Sequence, residues 1–364
     1  MSESLATGKP VTTVKCVVWD LDNTLWKGTL LEGDDVVIDD GVRETIVALD
    51  SRGILQAVAS KNDHGPAWER LEALGVAEYF VAARIGWGPK SSSVREIADE
   101  LKFAHHTIAF VDDQPAERAE VGYHLPEVRC YPAESIPGLL ALPEYTPATV
   151  TVDSRRRREM YQANVRRQAE QESFDGPSEE FLRSLDLVME ISRATAGDLS
   201  RMEELTLRTS QMNATGVHYS DADLRALLDD ARHEVLAVTM SDRFGSHGAV
   251  GVVLLETGPA VWHLKLLATS CRVVSFGAGA TVLNWLVDEA ATAGAHLVAD
   301  FRPTARNRIM EVAYRFAGFS DEHCACVAGL PQSESAETQR LHITPAPRPA
   351  PGTMQLTAVR LATT

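Results

Sequence analysis

The stretch that decides the fold of this chain is VKCVVWDLDNTLW, residues 14–26. Its apolar first half is typical of a buried strand in a parallel sheet. Asp20 and Asp22 follow at a spacing of two, which places both carboxylates on one face of an extended chain. Packing gives no reason to put two like charges at the end of a buried strand. A divalent cation does, because Mg²⁺ prefers hard oxygen ligands, and an aspartate can also accept a phosphoryl group as a nucleophile.

Three later stretches also carry polar residues at the end of a predicted strand or the start of a predicted helix. They are ILQAVASKND (54–63), GWGPKSSSVREIA (86–98) and HTIAFVDDQPAER (106–118). The carboxyl ends of parallel strands line one crevice of an open sheet, where ligands bind. Carboxylates for Mg²⁺, a hydroxyl and an ammonium for phosphate oxygens, and one attacking aspartate are what metal-assisted phosphoryl transfer needs. Taken singly, each residue also has an ordinary explanation as a cap, a turn or a solvated charge.

In order and spacing, DLDNT, VASKND, PKS and VDDQP resemble the four motifs of haloacid-dehalogenase-type phosphatases, over roughly residues 14–132. The resemblance implies an α/β domain with a Rossmann-like parallel sheet, a catalytic aspartate pair, phosphate ligands and a Mg²⁺ site. The residues concerned are Asp20 as nucleophile and Asp22 as general acid/base, Ser60, Lys61 and Lys90 on phosphate, and Asp20, Asp22, Asp112 and Asp113 on Mg²⁺.

The spacing between the motifs leaves no room for a cap domain. GVRETIVALDSRG (41–53) and PAWERLEALG (66–75) each predict one amphipathic helix that ends at a glycine. We therefore expect an open site, which admits a macromolecule or is closed by another part of the chain.

The composition is that of a soluble globular protein of two domains. The chain has 364 residues, 45% hydrophobic and 24% charged, with a net charge of −16. That charge argues against nucleic acid and an anionic membrane surface as partners. The first 13 residues contain no apolar signal region and no run has the length of a membrane span, so we expect a cytoplasmic protein.

The five cysteines are scattered and do not indicate a disulfide framework. Cys324 and Cys326 form a C-x-C pair, but no second Cys or His pair stands nearby in the sequence. This argues against a zinc site.

The chain changes character after residue 143, and we predict domains at 1–143 and 187–330, a linker with a basic helix at 144–186 and a flexible tail at 331–364. SRRRREMYQANVRRQAEQE (154–172) reads as a polar helix. Its arginines are either solvated and paired with nearby glutamates or a docking patch for an acidic partner. Residues 331–352 are low in apolar content, and MQLTAVRL (354–361) is a candidate last strand.

The second domain alternates strands and helices. A strand that leads through a glycine turn into a helix is a ready anion site. With the later Asn, Tyr and Gly-Phe pattern, residues 187–330 resemble the acyl-CoA-dependent N-acetyltransferase fold, an α+β domain whose two splayed strands admit a pantetheine arm. The segments are LVMEISRA (187–194), GDLSRMEELTLR (197–208), a hairpin at 233–257, AVWHLKLLATSCRVV (260–274), GAGATVLNWLVDEAATAG (277–294), HLVADFRP (296–303) and ARNRIMEVAYRFAGF (305–319).

This resemblance implies a set of pantetheine-binding residues: Arg272, Gly277, Gly279, Asn307 and Tyr314. The family usually has Arg or Gln at the position of Val274, a departure that fits the single phosphodiester of a carrier-bound pantetheine better than coenzyme A.

Cys271 is a further catalytic candidate, expected at the end of the long strand directly before the glycine turn. A helix N-terminus lowers the pKa of a thiol and makes it a better nucleophile. The alternative is a small buried cysteine with a packing role.

Over nearly the whole chain, VVWDLDNTLWKGTL, IGWGPKS, DDQPAERAEV, TVDSRRRR, LRTSQMNATGVHYS and LATSCRVVSFGAG resemble the FkbH-like proteins of polyketide pathways. The resemblance implies a Mg²⁺ enzyme that takes the glyceryl group of 1,3-bisphosphoglycerate, a small phosphorylated three-carbon substrate. It removes phosphate and loads the group as a thioester on a discrete phosphopantetheinylated acyl carrier protein, for hydroxymalonyl or methoxymalonyl extender units.

Three other function classes stay open at this point. The first is a phosphomonoesterase whose second domain is degenerate. The second is an acyltransferase that uses free coenzyme A and whose first domain is only structural. The third is a non-catalytic protein that docks a carrier. The intact motif set argues against the last of these.

Overall fold

The computed structural model describes residues 12–147, 150–209, 211–331 and 335–361. It divides into two compact units, Met1–Gln162 and Ala163–Thr364. The prediction that residues 1–13 contain no secretory signal concerns a stretch of which only residues 12 and 13 are described. Within the described ranges, no helix has both the length and the apolar character needed to cross a bilayer.

The first unit contains a five-stranded parallel sheet in the order β3-β2-β1-β4-β5, in which β1 lies between β2 and β4. Its strands are β1 (Cys16–Trp19), β2 (Leu55–Ser60), β3 (Phe80–Ile85), β4 (Ile108–Asp112) and β5 (Arg129–Pro132). Its helices are α1 (Asp40–Ser51), α2 (His64–Ala73), α3 (Lys90–Leu101), α4 (Pro115–His124), α5 (Ile136–Leu139), α6 (Val152–Arg155) and the first part of α7 (Arg157–Ser173). All four residues of β1 are buried, as a strand with helices on both faces requires.

The connections of this sheet confirm the prediction of an α/β domain without a cap. In the described residues 12–147, one α-helix links each strand to the next, and the longer connection between β1 and α1 holds only a 3-10 turn, Leu30–Glu32, and isolated bridges. Helix α1 buries Ile46 and Leu49 and is followed by Gly53 at a φ of +72°. A Cβ at Gly53 would lie 2.5 Å from the carbonyl oxygen of Ser154, so both the backbone conformation and the close approach require glycine.

The second unit contains a seven-stranded mixed sheet in the order β11-β10-β9-β8-β7-β6-β12. Its strands are β6 (Leu187–Arg193), β7 (His233–Asp242), β8 (Gly245–Glu256), β9 (Val261–Thr269), β10 (His296–Phe301), β11 (Gln339–Ile343) and β12 (Met354–Ala358). Its helices are α8 (Ser178–Ser184), α9 (Leu199–Arg208), α10 (Asp221–Leu228), α11 (Ala278–Ala293), α12 (Arg308–Phe316) and α13 (Ala325–Ala328). The predicted alternation of strands and helices is present, and the candidate last strand pairs with β6.

The predicted domain boundaries differ from the structure in two places. The expected tail at 331–364 contains β11 and β12, which form the two edges of the second sheet. Backbone hydrogen bonds to neighbouring strands compensate there for the low apolar content of the segment. The expected linker does not form a separate unit, because the division falls within α7.

Three of the six arginines of the predicted basic helix have structural partners. Arg158 donates to Asp50 at 3.0 Å and to the carbonyl of Glu78 at 3.0 Å, and Arg157 donates to the carbonyl of Gly53. Arg167 is buried and pairs with Asp242. A fully solvated helix is therefore wrong for these three residues, whereas Arg155, Arg156 and Arg166 are exposed. Docking of an acidic partner stays a prediction.

Candidate active site

The site of the first unit lies where β1 and β4 end side by side. Asp20 follows β1 directly, Asp112 is the last residue of β4, and Asp113 follows it. Because β1 and β4 are parallel neighbours, their ends bring these carboxylates together. The ligand oxygens of Asp20, Asp112 and Asp113 all lie within 4.8 Å of one another.

Lys90 provides the positive charge of this cluster. It is the first residue of α3, and its side chain is 3% exposed. Its ammonium group contacts Asp20 and donates to Asp112 at 2.9 Å. Burial of an ammonium group is strongly unfavourable unless it is paired, so the two carboxylates account for the position of Lys90.

Burial raises the pKa of Asp20 to about 6, and the nearby Asp112 adds to this effect, while Lys90 opposes it. Burial also raises the pKa of Asp113, again helped by Asp112. Carboxylates with raised pKa values packed against each other mark a place where a further positive charge would be stabilising. Three hard oxygen donors at this spacing fit Mg²⁺.

Asp22 lies apart from this cluster. Its carboxylate accepts from Trp26 at 2.8 Å, from the backbone of Leu30 at 3.0 Å and from Asn62 at 3.0 Å. The Asp22 carboxylate is thus held by neutral donors from two loops and does not belong to the group of Asp20, Asp112 and Asp113, and metal binding by Asp22 stays a prediction. A role as general acid/base stays a prediction.

The predicted phosphate ligands divide into two groups. Ser60 ends β2 and is buried, next to the end of β1. Lys61 instead directs its ammonium group to Glu117 at 2.6 Å and is 40% exposed. The alternation of side chains along an extended chain separates these two neighbours, so the structure brings Ser60 and Lys90, but not Lys61, towards the carboxylates.

Two functional side chains were missed from the sequence. Asn62 is 1% exposed and orients Asp22. Thr24 accepts from the backbone of Asp113 at 2.9 Å, and its hydroxyl lies 3.4 Å from the Asp113 carboxylate. Both belong to motifs already singled out, DLDNT and VASKND, and their polar character next to buried strands was the available signal.

In the second unit, β9 and β10 separate as the resemblance predicts. They pair from Val261 and His296 to Leu264 and Ala299, and β9 continues to Thr269 paired with β8 but no longer with β10. The edge of β9 that β10 leaves is where a pantetheine arm is expected.

A segment of the same chain bonds to that edge. Ala214 donates to the carbonyl of Leu267 at 3.0 Å, and Thr269 donates to the carbonyl of Met212 at 2.9 Å. On the other side, Arg302 donates to the carbonyl of Ala214 at 3.0 Å. Residues 212–216, which we call the wedge segment, therefore complete the hydrogen bonds between the separated strands.

Two of the predicted pantetheine ligands serve this packing. Asn307 is fully buried and donates to the carbonyls of Asn213, Ala214 and Arg302 at 3.0–3.3 Å. Tyr314 is also fully buried and packs against Phe319. Neither side chain has an exposed surface for a ligand in this conformation, and a pantetheine-binding role for Asn307 and Tyr314 stays a prediction.

The remaining candidates lie before α11. Cys271 is exposed and begins a 3-10 turn, Cys271–Phe276, rather than ending the strand, because β9 stops at Thr269 and Ser270 caps the turn. Arg272 bonds to the Ser270 hydroxyl. Gly277 adopts a φ of +76° and caps α11, whose first turn contains Gly279. Cys271 is thus accessible, and its nucleophilic role stays a prediction.

Several solved structures resemble parts of this chain. The N-terminal part of a Bacteroides fragilis protein, containing a phosphatase domain complexed with Mg, is 28% identical over 37% of this chain, with a TM-score of 0.33. The match covers 39% of that structure's chain. A haloacid-dehalogenase-superfamily hydrolase from Ehrlichia chaffeensis is 14% identical over 33% of this chain and 87% of its own, with a TM-score of 0.28.

The ribosomal-protein-S18-alanine N-acetyltransferase from Escherichia coli is 16% identical over 45% of this chain and 97% of its own, with a TM-score of 0.31. No protein-family model and no curated protein matches the chain. The fold class is α/β, with a five-stranded parallel sheet in the first unit followed by a second unit built on a seven-stranded mixed sheet.

Proposed function

We propose that the chain is a Mg²⁺-dependent enzyme that removes phosphate from 1,3-bisphosphoglycerate and loads the glyceryl group as a thioester on an acyl carrier protein, for polyketide extender units. The observation that carries the phosphatase half is the cluster of Asp20, Lys90, Asp112 and Asp113 at adjacent ends of parallel strands. The carrier half rests on the sequence resemblance and on the exposed Cys271.

In this proposal Asp20 attacks the phosphorus of the phosphate monoester. The bond from phosphorus to the leaving oxygen breaks, Asp22 gives that oxygen a proton, and water then releases phosphate from Asp20. Lys90 and Ser60 bind phosphate oxygens. Bound Mg²⁺, with Asp20, Asp112 and Asp113 as its ligands, would neutralise phosphate charge during transfer.

The acyl phosphate of the same substrate is activated towards thiols. A thiolate, either that of Cys271 or that of the carrier's pantetheine, attacks the acyl carbon and displaces inorganic phosphate. A thioester forms and no oxidant or reductant is needed. The exposed position of Cys271 permits this attack and gives access to a macromolecular acceptor.

The mass of a phosphopantetheinylated carrier tests the whole proposal. We expect the carrier to gain a glyceryl group after incubation with the protein, Mg²⁺ and 1,3-bisphosphoglycerate. The same incubation with the Asp20→Asn variant tests the order of the steps. If the carrier then gains a phosphoglyceryl group, acyl transfer precedes dephosphorylation. An unmodified carrier in the presence of active wild-type protein would refute the carrier half.

Cys271→Ala separates the two possible acyl acceptors. If Cys271 relays the acyl group, the variant loses carrier loading, and the wild type without carrier gains a glyceryl or phosphoglyceryl mass on the peptide that contains Cys271. Cys130→Ala is a matched control, because that thiol is half-buried in the first unit. Loading by Cys271→Ala at the wild-type rate would mean direct transfer to pantetheine.

The wedge segment favours a second candidate, a phosphomonoesterase without a cap. Its hydrogen bonds to β9 take the places that a pantetheine arm would use, which also argues against an acyltransferase that uses free coenzyme A. Two results would support this candidate. Small phosphate esters would release phosphate at the full rate in the absence of a carrier, and a carrier added in a separate assay would stay unmodified.

A further inference from the structure

Four side chains of types that can bind metal ions lie close together in the second unit. They are His296, Cys324, Cys326 and His342, and one ligand atom of each lies within 4.8 Å of those of the others. The sequence prediction considered only Cys324 and Cys326 and found no partners nearby. The partners come instead from two strands that pair in the fold.

The pairing of β10 with β11 places the two histidines together. His342 lies opposite Val298 in this antiparallel pair, and Val298 is two residues from His296. Because side chains alternate along a strand, His296 and Val298 point to one face. His342 is therefore a diagonal neighbour of His296 on the same face, a separation at which long side chains interact.

The two cysteines reach this face from a third segment. Ser320 pairs with His342 through two backbone hydrogen bonds of 2.8 and 2.9 Å, which hold the start of this segment beside β11. Cys324 then caps α13, and Cys326 lies in its first turn. The sulfur of Cys324 lies 3.6 Å from Nδ1 of His296.

The environment of His342 indicates a ligand. Both of its ring nitrogens are buried, and neither has a hydrogen-bond partner among the described residues. A buried polar atom without a partner costs free energy. Coordination of a metal ion by one of these nitrogens would satisfy that atom.

The packing around the cluster supports a structural role for such a ligand. The opposite face of β10 contributes Leu297, Ala299 and Phe301 to the hydrophobic core. On the cluster's face, Asp300 instead lies 2.9 Å from His263. Helix α13 has four residues, and of these only Cys326 is buried. With a single buried side chain, so short an element gains little from hydrophobic packing, and a bound metal ion would attach it to the sheet.

We propose that His296, Cys324, Cys326 and His342 bind a zinc ion that joins α13 to the edge of the second sheet. Two thiolates and two imidazoles are a common tetrahedral donor set for Zn²⁺, whereas Mg²⁺ and Ca²⁺ take oxygen ligands. Tetrahedral bonds of 2.0–2.3 Å place ligand atoms about 3.3–3.8 Å apart. The distance of 3.6 Å between Cys324 and His296 lies in this range.

Metal analysis of the full chain, purified without a polyhistidine tag, tests this proposal. We expect one zinc per chain that persists through dialysis and is lost on treatment with a strong chelator. Cobalt added to the chelator-stripped protein should give the visible bands of a tetrahedral site and a thiolate-to-cobalt band in the near ultraviolet. Wild-type protein with far less than one zinc per chain and no such cobalt spectrum would overturn the proposal.

Variants locate the ion and separate it from the site of the first unit. Cys326→Ser and His342→Ala should each lose zinc and the cobalt spectrum, whereas Cys271→Ser, at an exposed thiol outside the cluster, should retain both. Asp112→Ala should also retain zinc, which excludes the carboxylate cluster as its source. Loss of zinc from the Asp112→Ala variant, or full zinc content in both Cys326→Ser and His342→Ala, would refute the assignment. If the cluster variants fail to fold, the wild-type cobalt spectrum still decides.

Discussion

Replacing Asp20 by asparagine should abolish phosphate release and at the same time stabilise the metal-free first unit. Asp20 is 5% exposed and lies beside Asp112, and its pKa rises from 3.8 to about 6. An amide is uncharged at every pH, so the variant avoids the burial of this charge. It also cannot attack phosphorus, and loss of a nucleophile typically lowers turnover by a factor of about 10³ or more.

The pKa of Asp20 sets the size and the sign of the stability effect. Because its pKa is higher in the folded chain, this group stabilises the fold below pH 4, and that contribution is lost as the pH rises through 6. The full shift corresponds to about 3 kcal/mol. This net shift already includes the opposing attraction of Lys90, which keeps Asp112 at 2.9 Å when Asp20 is replaced. We therefore expect Asp20→Asn to be more stable by about 1–3 kcal/mol at pH 7.5.

Calorimetry in the presence of a chelator measures this difference. At about 2–4 °C per kcal/mol, the unfolding transition of the first unit should rise by several degrees at pH 7.5 and coincide with that of the wild type near pH 4. Asp99→Asn, at an exposed aspartate of the same unit, should leave the transition unchanged. A variant no more stable than the wild type at pH 7.5, or one that still releases phosphate at the wild-type rate, would refute the reasoning.

Three further substitutions test separate parts of the first unit. Asp112→Asn should raise the Mg²⁺ concentration for half-maximal phosphate release by about tenfold or more, and an unchanged Mg²⁺ titration would contradict a ligand role. Asn62→Ala frees the carboxylate of Asp22, so we expect kcat to fall by about 10–100-fold with a smaller change in KM; wild-type kinetics would exclude a positioning role. Arg158→Ala should lower the stability of the first unit by about 1–3 kcal/mol without changing the Mg²⁺ titration, whereas Arg156→Ala, at an exposed arginine, should have little effect on calorimetric unfolding.

The carboxylate cluster could be predicted because its geometry follows from the order of strands alone. Asp20 follows β1 and Asp112 ends β4, and residues at the carboxyl ends of neighbouring parallel strands lie side by side. The direction of a side chain beyond a strand end does not follow in this way. Asp22 and Lys61 bond to Asn62, in a loop, and to Glu117, in α4, and the sequence pattern does not reveal these partners.

The second unit was harder to predict for two physical reasons. Its four-residue cluster depends on the pairing of β11 with β10, and β11 lies in a segment whose low apolar content predicted flexibility. Asn307 fits a binding motif by its spacing, but a buried asparagine can equally serve the backbone of its own chain. Sequence spacing does not distinguish ligand binding from hydrogen bonding to the chain's own backbone, because both need an asparagine at the same position.

The order β11-β10-β9-β8-β7-β6-β12 has a consequence for the synthesis of this protein. Both outer strands come from residues 335–361, so they leave the ribosome after every strand that they cover. Until then β10 and β6 expose unpaired backbone groups on opposite sides, which makes the nascent sheet prone to join with other copies. Recombinant chains interrupted before residue 335 should therefore accumulate in inclusion bodies, and chaperones that bind exposed strands should matter most late in translation.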